Sequence, residues 1–517
     1  MKTCKILFLS LFLIVTSALI FASGTDGSQP DEPYKLSYMI HEWPANPVDM
    51  EWPVWDVIIE RKNIEIDPIV VPQSDWKTKR DLFLNSGDMP DMLPQVPFDI
   101  AIKFGQNGVL LNWSKYIDKL PDFTKIVKDW DLDEVLKNAR DADGNIYTLP
   151  GFDESALQGH AWLIRADLLE KYDLEWGPPT LEELITLLKT VKEKDPDIDY
   201  PYSNFFGLGL GMKLFGPLFG ITGNDGDGMI YDWENDSWYF ERTSPKYKQM
   251  LTYLRRLFDE ELLDPEILTI NDAEWVSALT NGKYFFTSNW LGGNPSRYTK
   301  GGKENYGPSF LIREMLPPIG PAGMKLAQQG RMSTGGDVAP ATIEKDSEKL
   351  AKVLDFQNWL YTEEGFTLFN YGVEGETFKV VNGKKMWMDH LLDDTGAIDQ
   401  QKFGTYGYQS LYGINRVHPS YYFLDWTLRG DATKEYYAKV IEADIVPPTD
   451  PLVKLTLDEQ EEATLIVGRL KGYTDEMINK FVFGKASLTS DWDAFVKECE
   501  ALGSKELSAL YNKIWMR

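Results

Sequence analysis

Tyr34-Lys35-Leu36-Ser37-Tyr38-Met39-Ile40 alternates polar and apolar side chains, the period of a strand with one buried face. Outward from it, Trp52 to Arg61 reads as a helix and Ile64 to Val71 as a second strand. Helical and strand-like segments then alternate to the end of the chain without an internal repeat. That order predicts an α/β protein, a sheet with helices on both faces.

Upstream, Lys2 and Lys5 precede an apolar run from Ile6 to Phe21, which ends in Ala22, Ser23 and Gly24. This is the layout of a signal peptide over residues 1–22, followed by a disordered leader over 23–33. A cut after Gly24 and a retained anchor are the alternatives. Cys4 lies ahead of the apolar run, and no cysteine stands at its end, where a lipid-anchored protein carries one. The expectation is an exported, soluble, periplasmic protein. Cys499, the only other cysteine, falls in the apolar pattern Trp492, Phe495, Val496, Cys499, Leu502, which predicts core packing on a helix.

The chain has 517 residues, enough for two sizeable cores, and a formal net charge of −27. That field repels phosphate backbones and anionic lipid, so nucleic acid is excluded as a partner. It also disfavours a polyanionic ligand unless a local basic pocket overrides it. Trp and Tyr are abundant, 17 and 25 respectively, and suit a sugar, whose apolar faces stack on rings while its edges carry hydroxyls.

Thr180-Leu181-Glu182-Glu183 is a capping box, followed by Leu184, Ile185, Leu188 and Val191 on one helical face. A further helix is expected from Lys246 to Glu261, and another after Ser490 to Asp493. Phe205 to Ile221 is apolar but holds five glycines, Lys213 and Pro217, and reads as a loop-rich wall. No catalytic signature emerges. His41, His160, His390 and His418 are scattered, and neither a P-loop nor a G-x-S-x-G elbow is present. Glu363-Glu364 and Asp393-Asp394 read as solvated surface.

Seven stretches, in order along the chain, carry a family resemblance: Asn85 to Met92 (N-S-G-D-M-P-D-M), Val109 to Ile117, Asp141 to Pro150, Trp162 to Leu168, Tyr253 to Pro265, Tyr371 to Gly375 and Phe483 to Trp492. Together they resemble extracellular solute-binding proteins of ABC transporters, in the branch with large oligosaccharide-binding members. The resemblance implies a two-lobe periplasmic-binding-protein fold with a hinge and an interlobe cleft. Its crossings should lie near Pro150 to Ala156 and Gly330 to Pro340, with Gly335-Gly336 as a hinge or a turn. One lobe would take 34–150 and about 337–400, the other 151–336 and about 401–517. A carbohydrate ligand, a membrane permease as partner, no cofactor and a monomeric state follow from the same resemblance. Relatives often carry a calcium loop after the helix that begins here at Thr180. Asp195, Asp197 and Asp199 supply oxygens there, but Pro196 and the missing Gly and Glu spoil the loop, and no metal is expected.

Ligand contacts are expected where strands end at the cleft. After the first strand stand Glu42, a hydroxyl acceptor, and Trp43, a stacking platform. Gln95 to Asp99 resembles the family's polar sugar contacts, and Asn289-Trp290 its second-lobe tryptophan site. Trp162 is a further candidate, with Tyr371, Tyr406 and Tyr408 towards the far end. Arg165 is expected to brace Asp167, and Asp88 and Asp91 to cap or brace their turn. Two rival readings share the sequence: an exported polysaccharide-processing enzyme with a hidden carboxylate pair, and a binding protein that feeds a sensor.

Overall fold

The computed structural model describes residues 32–43, 46–154, 159–175, 179–205, 207–223, 226–291, 294–327, 330–392, 398–419, 430–451 and 453–516. The expected signal peptide and nearly all of the expected leader lie outside them. The opening strand β1 (Tyr34–Glu42) is followed by helix α1 (Pro53–Lys62) and strand β2 (Ile64–Pro72). The two strands pair in parallel from Tyr34↔Ile64 to Glu42↔Pro72. A parallel pair needs a crossover, and α1 supplies it, burying Val54, Trp55 and Ile58.

β3 (Leu93–Pro97) joins the other side of β1 through Met92, whose N–H donates to the Ser37 carbonyl at 3.0 Å. Asp91 fixes that junction. It accepts from the Ser37 N–H and hydroxyl, both at 2.9 Å, and takes Lys349 Nζ at 2.8 Å. Beyond β3 runs β8 (Met332–Val338), antiparallel both to β3 and to β4 (Leu149–Asp153). β9 (Val417–His418) closes the row in parallel with β4. The first sheet therefore reads β2-β1-β3-β8-β4-β9. Gly335 and Gly336 lie within β8, inside the sheet. A Cβ on Gly336 would stand 2.0 Å from the Leu149 carbonyl oxygen, so the pair serves close strand packing and is not a turn.

A second sheet has β5 (His160–Arg165) at its centre, antiparallel to β6 (Phe286–Trp290) and to β7 (Ile312–Met315). Over it lie α2 (Leu181–Lys194), with the capping box formed at Thr180, and α3 (Gly207–Phe215). The glycine-rich stretch is thus a helix where a loop-rich wall is expected. Leu208, Leu210, Gly211, Leu214 and Phe215 are buried at helical spacing. Gly211 is needed because a Cβ there would come within 2.6 Å of the Tyr202 hydroxyl.

Two large core clusters form, and the first also takes Ala161, Leu163, Leu291 and Ile312 from one face of the second sheet and its flank. Leu36, Tyr38, Ile40, Ile58 and Phe356 pack in the first, and Trp162, Leu188, Tyr202, Phe215 and Phe481 in the second. Cys499 belongs to the second core, and burial pushes its thiol up to about 12. Phe403, Leu411, Ile414 and Val417 join the first core, and β9 pairs in the first sheet. Among the described residues, no helix is long and apolar enough to cross a membrane.

Candidate functional site

Strand direction places the site. β1, β3, β4 and β9 run the same way, so Glu42, Pro97, Asp153 and His418 end on one edge of the first sheet. The chain leaves that edge at Asp153 and enters the second sheet at His160. Seven Cα steps span at most about 25 Å, so the two edges are neighbours. On the second sheet His160 pairs with Trp290 at the matching edge.

Trp290 is 49% exposed, a large apolar ring left in solvent. Its underside rests on His160, with centroids 3.6 Å apart. Burial, and secondarily the charge of Lys213, lowers the His160 pKa to about 3, so the support is neutral at pH 7. Asn289 braces the platform from within: its Oδ1 accepts from the Trp290 N–H at 2.7 Å and from Asn294 Nδ2 at 3.2 Å. The Asn289 amide is fully buried, and its Nδ2 has no hydrogen-bond partner among the described residues. Asn289 is therefore a support rather than a rim contact in this conformation.

On the first edge, Glu42 and Trp43 are half-buried, and the Trp43 ring meets His41 edge-on at 6.2 Å. Burial holds the His41 pKa near 4, so this imidazole is also neutral. Gln95 is exposed and has φ 57°, the left-handed region, a strained setting for a residue with a side chain. Its amide reaches towards Gly413, where an added Cβ would stand 3.0 Å from Nε2. Asp99 is exposed in the first turn of the helix Phe98–Gln106.

Three expected contacts stand elsewhere. Trp162 is 1% exposed and stacks on Phe286 at 5.0 Å and 11°, with Phe215 at 4.6 Å, so it is core. Tyr371 belongs to the first core, stacked on Trp387 at 5.2 Å. Tyr406 is half-buried, and its hydroxyl lies 3.2 Å from His390 Nε2, beside a small apolar pocket with Val54 and Phe403. The Tyr408 side chain lies outside the described residues. Arg165 grips Asp167 with Nε and Nη2 at 2.8 and 2.6 Å, the brace expected of it.

Below the first edge a buried network locks the lobe. Asp337 accepts from Tyr38 at 2.5 Å and from Gln357 at 2.9 Å, and pairs with Arg416. Burial pushes the Tyr38 hydroxyl up to about 12 and lowers the Arg416 pKa. Asp195 in the calcium-like loop already holds Lys171 Nζ at 3.2 Å and the Tyr172 hydroxyl at 3.0 Å, while Asp197 and Asp199 are exposed. No group of three or more metal-ligating side chains occurs among the described residues. Sequence reasoning missed His160 and Lys213. Strand alternation through His160 and Trp162 was the available signal.

The chain is 25% identical to the fructooligosaccharide ABC transporter substrate-binding protein FusA of Streptococcus pneumoniae, over 98% of this chain and 97% of that one. It is 22% identical to the polygalacturonan/rhamnogalacturonan-binding protein YtcQ of Bacillus subtilis, over 98% of both. Among solved structures, alginate-binding protein AlgQ2 without calcium ion superposes with a TM-score of 0.74 at 20% identity, covering 94% of this chain and 99% of that one. FusA in complex with kestose gives 0.73 at 19%, covering 93% and 99%. These likenesses show the two-lobe solute-binding-protein fold. The description of bacterial extracellular solute-binding proteins matches residues 53–365, more than half of the sequence, and the chain belongs to that family.

Proposed function

We propose that this protein captures an oligosaccharide between its two lobes and delivers it to the permease of an ABC importer, without chemical turnover. The observation that carries the reading is Trp290: a half-exposed indole, seated on a neutral imidazole, at the sheet edge beside the other lobe. A flat apolar face of that kind suits a pyranose or furanose ring, and a neutral support leaves the stacking free of charge. Glu42, Trp43, Gln95 and Asp99 on the opposite edge would supply the second ring and the hydroxyl acceptors and donors. Relatives named for fructooligosaccharide and pectic polymers support a carbohydrate ligand. The lobes we assign are built on the first and second sheets, with 403–418 in the first, and the ligand closes one on the other.

A glycan-array screen of the exported chain identifies the sugar. Small-angle scattering with that sugar then tests closure, with a smaller radius of gyration expected at saturation. Cleavage of the captured glycan would replace this reading with the enzymatic one.

A further inference from the structure

A hairpin of strands Met229–Asp232 and Ser237–Phe240 pairs Ile230 with Tyr239, so these two side chains and that of Asp232 share one face. All three line a cavity of about 270 Å³. Lys246 and Lys325 line it too, and Lys246 Nζ lies 3.5 Å from where a Cβ on Gly220 would stand. Asp450 is fixed to the hairpin, its Oδ2 accepting from the Tyr231 N–H at 3.3 Å. Trp233 stands at the rim, 57% exposed, and meets Tyr231 edge-on at 4.9 Å. Its turn is held by Asp232 Oδ1, which accepts from the Glu234 and Asn235 N–H groups at 3.0 and 3.2 Å. The cavity shares no residue with the edges that carry Trp43 and Trp290.

Charges of both signs line this space. Lys246 and Lys325 have neither ion pair nor hydrogen bond among the described residues, and the Tyr239 hydroxyl has no hydrogen bond among them. Burial, and then the charges of Glu241, Asp232 and Asp450, push that hydroxyl up to about 12, so it stays a donor. A cation entering the cavity meets the two lysines, and an anion meets Asp232 and Asp450. A neutral molecule rich in hydroxyls uses both sets, since each hydroxyl donates and accepts. The exposed indole suits a ring with an apolar face. The volume stands near the lower bound of small-molecule pockets, about 300 Å³, which admits one ring and not a chain.

We infer that this cavity is a second binding site, separate from the cleft, for a single neutral sugar residue. The ring lies against Trp233, while its hydroxyls donate to Asp232 and Asp450 and accept from Lys246 and Tyr239. The site does not depend on the cleft: a chain that captured nothing between its lobes would keep it.

The test is fluorine NMR of the full chain labelled with 5-fluorotryptophan, the Trp233 signal being assigned from Trp233→Phe. The probes are glucose, galactose, mannose and fructose, with glucuronate, glucosamine and leucine as charged counterparts. At least one neutral sugar should move the Trp233 signal saturably, with a Kd of about 1–10 mM. Trp290→Ala should leave that Kd within about twofold, because the cleft takes no part. Lys246→Met and Tyr239→Phe should each weaken it about 3- to 10-fold. The charged probes should bind more weakly than the neutral sugar. No saturable shift with any neutral sugar, loss of the shift in Trp290→Ala, unchanged affinity in both cavity variants, or charged probes binding as tightly would overturn the inference. None of these results bears on capture in the cleft, which the glycan array tests by itself.

Discussion

Trp162 and Trp290 stand on adjacent strands, on one face of one sheet, two residues apart in register. One is 1% exposed and the other 49%. The difference lies in what covers them. Phe215 and Phe286 close over Trp162, whereas Trp290 lies at the strand end, past the aromatic cover, against His160. Residue type is the same and both belong to strands, and so position relative to the sheet edge separates a core indole from an exposed one.

The largest effect should fall on the buried member. Trp162→Ala opens a cavity in the second core and should cost about 3–5 kcal/mol of stability, read by chemical denaturation. The folded fraction should still bind sugar with wild-type affinity. A small stability loss would mean that the two tryptophans are not distinguished in the way described.

His160 sharpens the contrast, because it belongs to both environments. Its folded pKa of about 3 lies below the ordinary 6.5, so the unfolded chain takes up a proton first as pH falls. The stability contributed by the neutral imidazole is present above pH 6.5 and is lost progressively on the way down to pH 3. Denaturation of the wild type and of His160→Asn between pH 7 and 4 should converge by roughly 1.4 kcal/mol per pH unit below 6.5. Parallel curves would show that His160 is not held neutral.

The smallest effect concerns the first edge. Gln95→Gly removes a side chain from a left-handed backbone and should gain about 0.5–1 kcal/mol in thermal melts. Affinity for the captured sugar should fall a few-fold at the same time. Gain of stability with unchanged affinity would leave the strain at Gln95 without a part in binding.

The opening β1-α1-β2 unit was legible because alternation and helical spacing are local properties of the chain. So were the capping box at Thr180 and the Arg165–Asp167 brace, whose partners lie within a few residues of one another. Coverage by distant segments was not legible. Trp162 and Tyr371 carry the composition of a sugar site, and only packing against Phe286 and Trp387 makes them core. The α3 helix hides behind its glycines, because the reason for Gly211 is the Tyr202 hydroxyl on another segment. The pairing of Val417–His418 in the first sheet likewise depends on β9 meeting a strand more than 260 residues earlier.

The central claim is that Trp290 is a ligand platform and not a structural residue. Calorimetric titration of wild type and Trp290→Ala with the sugar selected on the array, beside thermal melts without ligand, tests it most directly. Truncation should weaken binding by about 2 kcal/mol or more, roughly thirtyfold in Kd. Unliganded stability should stay within about 0.5 kcal/mol of the wild type, as for a surface position. Unchanged affinity together with a large fall in melting temperature would place Trp290 with Trp162 in the core and contradict the account.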